Sequence, residues 1–299
     1  MKTPRAPWQG AATAPALMLT QIVSLQAGSA VAKDAYGTAG PTALAGMRLF
    51  FSAAILWVLV RPRLRKVTAV QWRAAISLGL VFAAMNLAYF QTISRLPIGV
   101  AATLELLGPL TLSIVLSRRP EHLAVALLAL VGVTLLAAPG ASLSAAGLLL
   151  GGAAALCRAG YVVMSRRVGH LFPDWTGLTL GLAGGACVLT PVTAVMDGGT
   201  VAARPAVLGT GLVVALLSSL IPYSLDMAVL RRIDVRAFGV LLALSPAVAA
   251  GVGFVLLLRE QLTARQLCAM ALVVLAGAWS VRRAARRVGP ADRPGARPA

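Results

Sequence analysis

Residues 97–117 read PIGVAATLELLGPLTLSIVLS. The stretch has one charged side chain, Glu105, and one internal proline, Pro109. About 20 mostly apolar residues suffice for a helix to cross the hydrocarbon of a bilayer, so the run reads as a membrane span. A carboxylate in hydrocarbon costs free energy unless it is neutralised or paired, and Glu105 sits near the centre. Pro109 lacks an N–H, so the carbonyl of residue 105 loses its helical partner. A carboxylate and an unbonded carbonyl then lie together at mid-membrane. Broken helices of this kind mark substrate and ion sites.

The rest of the chain fits that setting. Of 299 residues, 59% are hydrophobic and 12% charged, and the mean hydropathy is +0.84. Soluble domains run at roughly 45–50% apolar and about 25% charged. Nine further apolar runs accompany 97–117, so ten spans are expected: 14–33, 42–60, 72–94, 97–117, 122–139, 145–166, 175–196, 206–228, 236–258 and 263–281. A short basic leader (Lys2, Arg5) precedes the first, as in a signal peptide, but Gln21, Gln26 and Lys33 interrupt the run and it reads as a retained helix. The connections are short. Residues from 282 to 299 are basic and rich in Pro and Gly, a composition that reads as a disordered tail.

The net charge is +18, from 27 Lys and Arg against 9 Asp and Glu. The basic residues cluster between apolar runs, which is membrane topology rather than a nucleic-acid face. With the N-terminus inside, 20 of the 27 cations fall on the inner side, 5 on the outer side, and Arg48 and Arg158 within spans. The positive-inside rule therefore predicts an even helix count with both termini cytoplasmic. Cys157, Cys187 and Cys268 lie in apolar stretches and read as small helix fillers.

Residues 86–109 overlay 223–246 without a gap: Asn86 meets Tyr223, Arg95-Leu96-Pro97 meets Arg232-Ile233-Asp234, and Pro109 meets Pro246. Five spans per half force the second half to enter from the opposite side. The expected architecture is all-α: a five-helix repeat over 14–139, an inverted one over 145–281, then the tail.

Other polar residues lie within the spans. Arg48 is the natural partner for Glu105, as a static ion pair or as part of a site. Arg158, nearer the cytoplasmic end of its span, has two readings, snorkelling to the interface or lining a site. Asp226 follows Pro222 by four residues, and Arg231 and Arg232 are its expected partners. Gln26, Asn86, Tyr89, Gln91 and Tyr223 read as cavity lining or interhelical hydrogen bonds. Lys33 reads as a snorkelling span end. Pro246 frees the carbonyl of Leu242, with no carboxylate beside it. Gly177, Gly181 and Gly185 form a small-residue packing face.

Enzyme chemistry finds no foothold. No phosphate-binding loop points to ATP. No His, Cys and carboxylate cluster has metal-ligand spacing; His122 and His170 sit in cytoplasmic turns. No mid-span Ser has a His to activate it. No cofactor and no metal are expected.

The chain resembles the EamA-type transporters of the drug/metabolite transporter superfamily, and most of all their threonine/homoserine exporter group. The segments that carry this are Gln26-Ala27-Gly28-Ser29 with Ala32-Lys33, Arg48-Leu49, Gly79 to Tyr89, Leu96 to Ala101, Leu104-Glu105 with Gly108-Pro109-Leu110, and Ser117 to Pro120. In the second half they are Pro222 to Met227, Phe238-Gly239, Pro246-Ala247 and Glu260 to Thr263. The resemblance covers about residues 15–283. It implies ten helices in two inverted repeats, a central cavity between them, and export of amino acids against protons. The chain departs from the group's pattern at Asp226, where Glu is usual, at Ser245, where Glu is common, and at Arg259, where Gly usually precedes Glu260.

Together these readings describe a secondary transporter in a bacterial plasma (inner) membrane, exporting threonine, homoserine or a related metabolite in exchange for protons. Arg48 and Arg158 would meet the substrate carboxylate, and Glu105 its ammonium group or the coupling proton. Asn86, Gln26, Tyr89, Tyr223 and Asp226 would complete the site. Rival readings are drug efflux, an uptake permease and a membrane scaffold. The fifth and tenth spans are the least polar, which suits a homodimer contact.

Overall fold

In hydrocarbon every backbone N–H and C=O must be bonded within the chain, so apolar runs of this length fold as helices. A computed structural model describes residues 14–115 and 143–231, together with single residues and pairs between 238 and 275. The helices are α1 (Ala14–Asp34), α2 (Pro41–Val60), α3 (Ala69–Ile93), α4 (Ile98–Val115), α5 (Ala145–Leu171), α6 (Thr176–Ala203) and α7 (Ala206–Leu230). Six of them are long and apolar enough to cross a membrane; α4 is the shorter apolar one. No strand occurs among the described residues.

Seven of the expected spans coincide with these helices. Two are longer than their apolar runs: α5 continues through Arg166 and Arg167 to Leu171, and α6 through Asp197 to Ala203. Hydrophobicity marks where a helix lies in lipid, while its hydrogen bonds continue into the wet boundary. The expected span 122–139, most of 236–258 and 263–281, Pro246, Glu260, Arg232-Ile233-Asp234 and both chain ends lie outside the described residues.

Helix ends follow their local chemistry. Thr68 caps α3 in a capping box with Gln71. Pro41 stands in the first turn of α2, where its missing N–H is harmless. Asp174 accepts from the backbone N–H and the hydroxyl of Thr176, both at 3.0 Å, and so closes the start of α6.

The helices pack in a mutual pattern. α3 lies against α5 and α6, α2 against α6 and α7, α1 against α7, and α4 against α5. Glycines set the crossings. A Cβ on Gly79 would stand 2.9 Å from the Gly181 carbonyl, and one on Gly185 would meet Gly79 and Phe82. Two of the three glycines of the α6 ladder are therefore the seam with α3, while Gly177 faces Val168 of α5 and Phe172 just beyond its end. Gly108 meets the Ala155 carbonyl so closely that a Cβ would overlap it. That crossing sets Glu105 of α4 beside Arg158 of α5.

Candidate functional site

α7 carries a π-helical turn at Leu216–Leu220, immediately before Pro222. Such turns loosen the helical hydrogen-bond ladder. Pro222 has no N–H to offer the Ser218 carbonyl four residues back. Arg48 of α2 supplies the missing donor: its Nη2 donates to that carbonyl and its Nε to Ser219 Oγ at 2.6 Å. The neighbouring Leu217 carbonyl accepts from Ser24 of α1 at 2.6 Å. α1 comes this close because it presents Gly28, where a Cβ would stand 2.7 Å from Ser218 Cβ.

The Arg48 guanidinium is 1% exposed and lies between two rings, 4.8 Å from the Phe90 centroid and 5.7 Å from that of Tyr223. Its Nη2 also donates to the Tyr223 hydroxyl at 3.2 Å. That hydroxyl donates to Asn86 Oδ1 at 3.2 Å, and Asn86 Nδ2 donates to the Phe82 carbonyl at 2.7 Å. Four helices, α1, α2, α3 and α7, are tied at one level by this chain of bonds.

A second group lies beyond an aromatic wall. Phe82, Tyr161 and Tyr223 form a triangle with centroid separations of 5.5, 4.6 and 5.5 Å. Behind it Asp226 Oδ2 accepts from the Tyr161 hydroxyl at 2.9 Å and pairs with Arg158 Nη2 at 3.4 Å. The Arg158 guanidinium stacks on the Tyr161 ring at 4.9 Å. Asp226 is wholly buried, and among the described residues its second oxygen, Oδ1, has no hydrogen-bond partner.

Glu105 faces this group from α4 and is 8% exposed. Among the described residues no hydrogen bond reaches its carboxylate. Its strongest charged neighbour is Arg158, then Arg48. Arg158 therefore serves two buried acids and is in close contact with only one of them. Gln26 donates to Ser245 Oγ at 3.0 Å, and the Tyr89 hydroxyl lies 3.5 Å from Gln26 Oε1.

Three sequence expectations are corrected. Arg48 is not paired with Glu105, because the proline-freed carbonyl and Ser219 of α7 take its donors. Asp226 is not paired with Arg231, because burial turns it toward Arg158 and Tyr161; Arg231 donates instead to the carbonyls of Phe172 (3.1 Å) and Asp174 (2.5 Å) and stacks on Trp175. Arg158 does not snorkel: it is 3% exposed and turned inward. Gln91 lies at the end of α3, bonded to Thr42 and Arg95 and apart from the layer. Lys33 donates to the Leu96 carbonyl at 2.7 Å. Tyr161, Ser218 and Ser219 were missed. The signal for Tyr161 was its place one turn after Arg158, and for Ser218 its place four residues before Pro222.

Residues 145–282 match the EamA-like transporter family. The threonine/homoserine exporter RhtA of Salmonella typhimurium (strain LT2) is 31% identical over 269 residues, 88% of this chain and 90% of that protein. The threonine/homoserine exporter RhtA of Escherichia coli (strain K12) is 30% identical over 267 residues, with the same coverage of 88% and 90%. A solved crystal structure, 21% identical, aligns over 93% of this chain and 99% of that one with a TM-score of 0.63, a likeness of fold.

Proposed function

The chain belongs to the EamA-like transporter family, and from that membership and its buried charges we propose that it exports threonine, homoserine or a similar small amino acid in exchange for protons. The observation that carries the proposal is Arg158, buried between Asp226 and Glu105 and in contact with one of them. Arg158 is in close contact with Asp226 alone, which leaves Glu105, with no hydrogen bond among the described residues, as the carboxylate open to a proton or an ammonium group. The relatives named for threonine and homoserine export support the substrate class.

In this reading Asp226 and Glu105 alternate. A proton on Asp226 frees Arg158 to meet a substrate carboxylate or Glu105, and the substrate ammonium group takes the remaining carboxylate. Arg48 holds the broken part of α7 in place and leaves the exchange to Arg158. Asn86, Tyr223, Gln26 and Tyr89 shape the polar layer around it, and Pro109, Pro222 and Pro246 are the breaks that let helices bend.

The packing supports two inverted five-helix halves. α3 lies on α5 and α6 as α7 lies on α1 and α2, and α2 meets α6. That is the pattern of two units related by a two-fold axis in the membrane plane. Ten helices over 14–139 and 145–281, cytoplasmic termini, a bacterial inner-membrane location and a homodimer through the fifth and tenth spans complete the proposal.

The test is efflux of labelled threonine and homoserine from preloaded cells, comparing wild type with Glu105→Gln and Asp226→Asn at matched expression. Faster efflux with wild type, lost in both variants, supports the reading. Equal efflux from wild type and empty cells sinks the substrate. Efflux by wild type that survives both substitutions sinks the role of the acids.

A further inference from the structure

A cavity of about 670 Å³ opens at the end of the bundle where α2 gives way to α3 and α5 to α6. Its volume is that of an ordinary small-molecule site. Three exposed cations, Arg61, Arg63 and Lys66, line it from the α2–α3 connection, and Gln71 and Thr176 from the first turns of α3 and α6. Both helix starts lie along its wall with their caps in place, Thr68 with Gln71 on α3 and Asp174 on α6, so the positive charge of the site comes from the side chains.

Among the described residues one acid, Asp174, lines it against the three cations. Both of its oxygens are held by Thr176, at 3.0 Å each. The carbonyls of Phe172 and Asp174 on the same wall are taken by Arg231. Gln71 spends its amide on the Leu171 carbonyl at 2.8 Å. Among the described residues no ion pair reaches the head groups of Arg63 or Lys66. Arg61 adds a backbone observation: it ends α2 at φ 48°, the left-handed conformation that favours glycine. A long cation stands where a glycine fits best.

We infer that this cavity binds a phosphate-bearing anion, either the head group of an anionic lipid or a soluble phosphate. Clustered cations recognise phosphate through charge-assisted hydrogen bonds. The site lies apart from the Arg158–Asp226 group and does not depend on the proposed substrate.

The chain supplies a matched control. Arg65 and Arg73 belong to the same basic segment but do not line the cavity. Arg63→Gln with Lys66→Gln removes two positive charges from the site; Arg65→Gln with Arg73→Gln removes two beside it. Thermal unfolding of the full-length chain, in neutral detergent with phosphatidylcholine, is measured while phosphatidylglycerol or sodium phosphate is added, sodium chloride holding the ionic strength. Wild type and the Arg65/Arg73 variant are expected to be stabilised, and the Arg63/Lys66 variant to need about tenfold more ligand. Stabilisation by phosphatidylglycerol alone assigns a lipid head group; stabilisation by both assigns the phosphate group itself. No stabilisation of wild type by either, or equal weakening of both double variants, overturns the inference. Should the Arg63/Lys66 variant not fold, Lys66→Gln alone, in an exposed turn, must weaken binding more than Arg65→Gln alone.

Discussion

Asn86 and Tyr223, 137 residues apart in the chain, touch: the Tyr223 hydroxyl lies 3.2 Å from Asn86 Oδ1 and 3.1 Å from Nδ2. They are also the two positions that coincide when residues 86–109 are laid over 223–246. In a pair of inverted repeats, a residue reaches its own counterpart only close to the axis that relates the halves. The contact is compatible with the proposed architecture if this pair lies beside that axis. Tyr223→Phe leaves Arg48 and Asn86 each one partner short in a buried place, at a cost of roughly 1–3 kcal/mol. Combining it with Asn86→Leu is expected to cost less than the sum of the two changes. Thermal unfolding of the two single variants and the double variant measures this.

Arg158→Gln leaves Asp226 without its paired cation and Glu105 without the stronger of its two charged neighbours. Removing one partner of a buried ion pair costs about 3–5 kcal/mol. Arg158→Gln with Asp226→Asn is expected to recover most of that stability and no transport. Unfolding curves and efflux on the same preparations separate the two effects; recovery of both would make the pair a structural brace.

Pro222→Ala returns an N–H to the Ser218 carbonyl and removes a residue that costs a regular helix interior about 3 kcal/mol. The expected variant is no less stable than wild type, with a straighter α7 and slower export. Arg48 then competes with the helix for that carbonyl. Unfolding temperature and efflux rate moving in opposite directions would show that the break serves function.

Gly108→Val pushes a side chain into the Ala155 carbonyl and parts α4 from α5. A cost of roughly 1–3 kcal/mol is expected, with Glu105 drawn away from Arg158 and export reduced. Gly152, in the same α5, has nothing within 4 Å of a Cβ. Gly152→Ala is expected to stay within about 0.5 kcal/mol of wild type and to transport normally.

Much of this was legible in the chain because lipid permits so few structures. Long apolar runs must be helices, so α1 to α7 fall where hydropathy puts them. The burial of Glu105 was likewise open to reading from its place in an apolar run, while Arg158 and Asp226, nearer a span end, left snorkelling and surface pairing as readings. Which cation meets which acid was not. That depends on how neighbouring helices rotate against each other, and the rotations are set by Gly28, Gly79 and Gly108 through contacts across the bundle. Arg48 was assigned to Glu105 by charge alone. Its actual partner is a backbone carbonyl, and only the proline four residues further on announces that this carbonyl needs a donor. Tyr161 was passed over because tyrosine is ordinary in a helix until its hydroxyl is seen on Asp226.

Arg231 ends α7 one helical turn and a residue beyond Asp226, with its guanidinium on two carbonyls and the Trp175 ring of the α5–α6 connection. It works as a latch on a lever. If α7 tilts as the site changes sides, this clasp must slip or drag the connection with it. Its strength then sets how quickly the carrier turns over rather than how tightly it holds cargo. If the proposed exchange holds, a weakened latch at Arg231 is expected to change the pace of cycling while leaving half-saturation where it was, at a residue that need never meet what is carried.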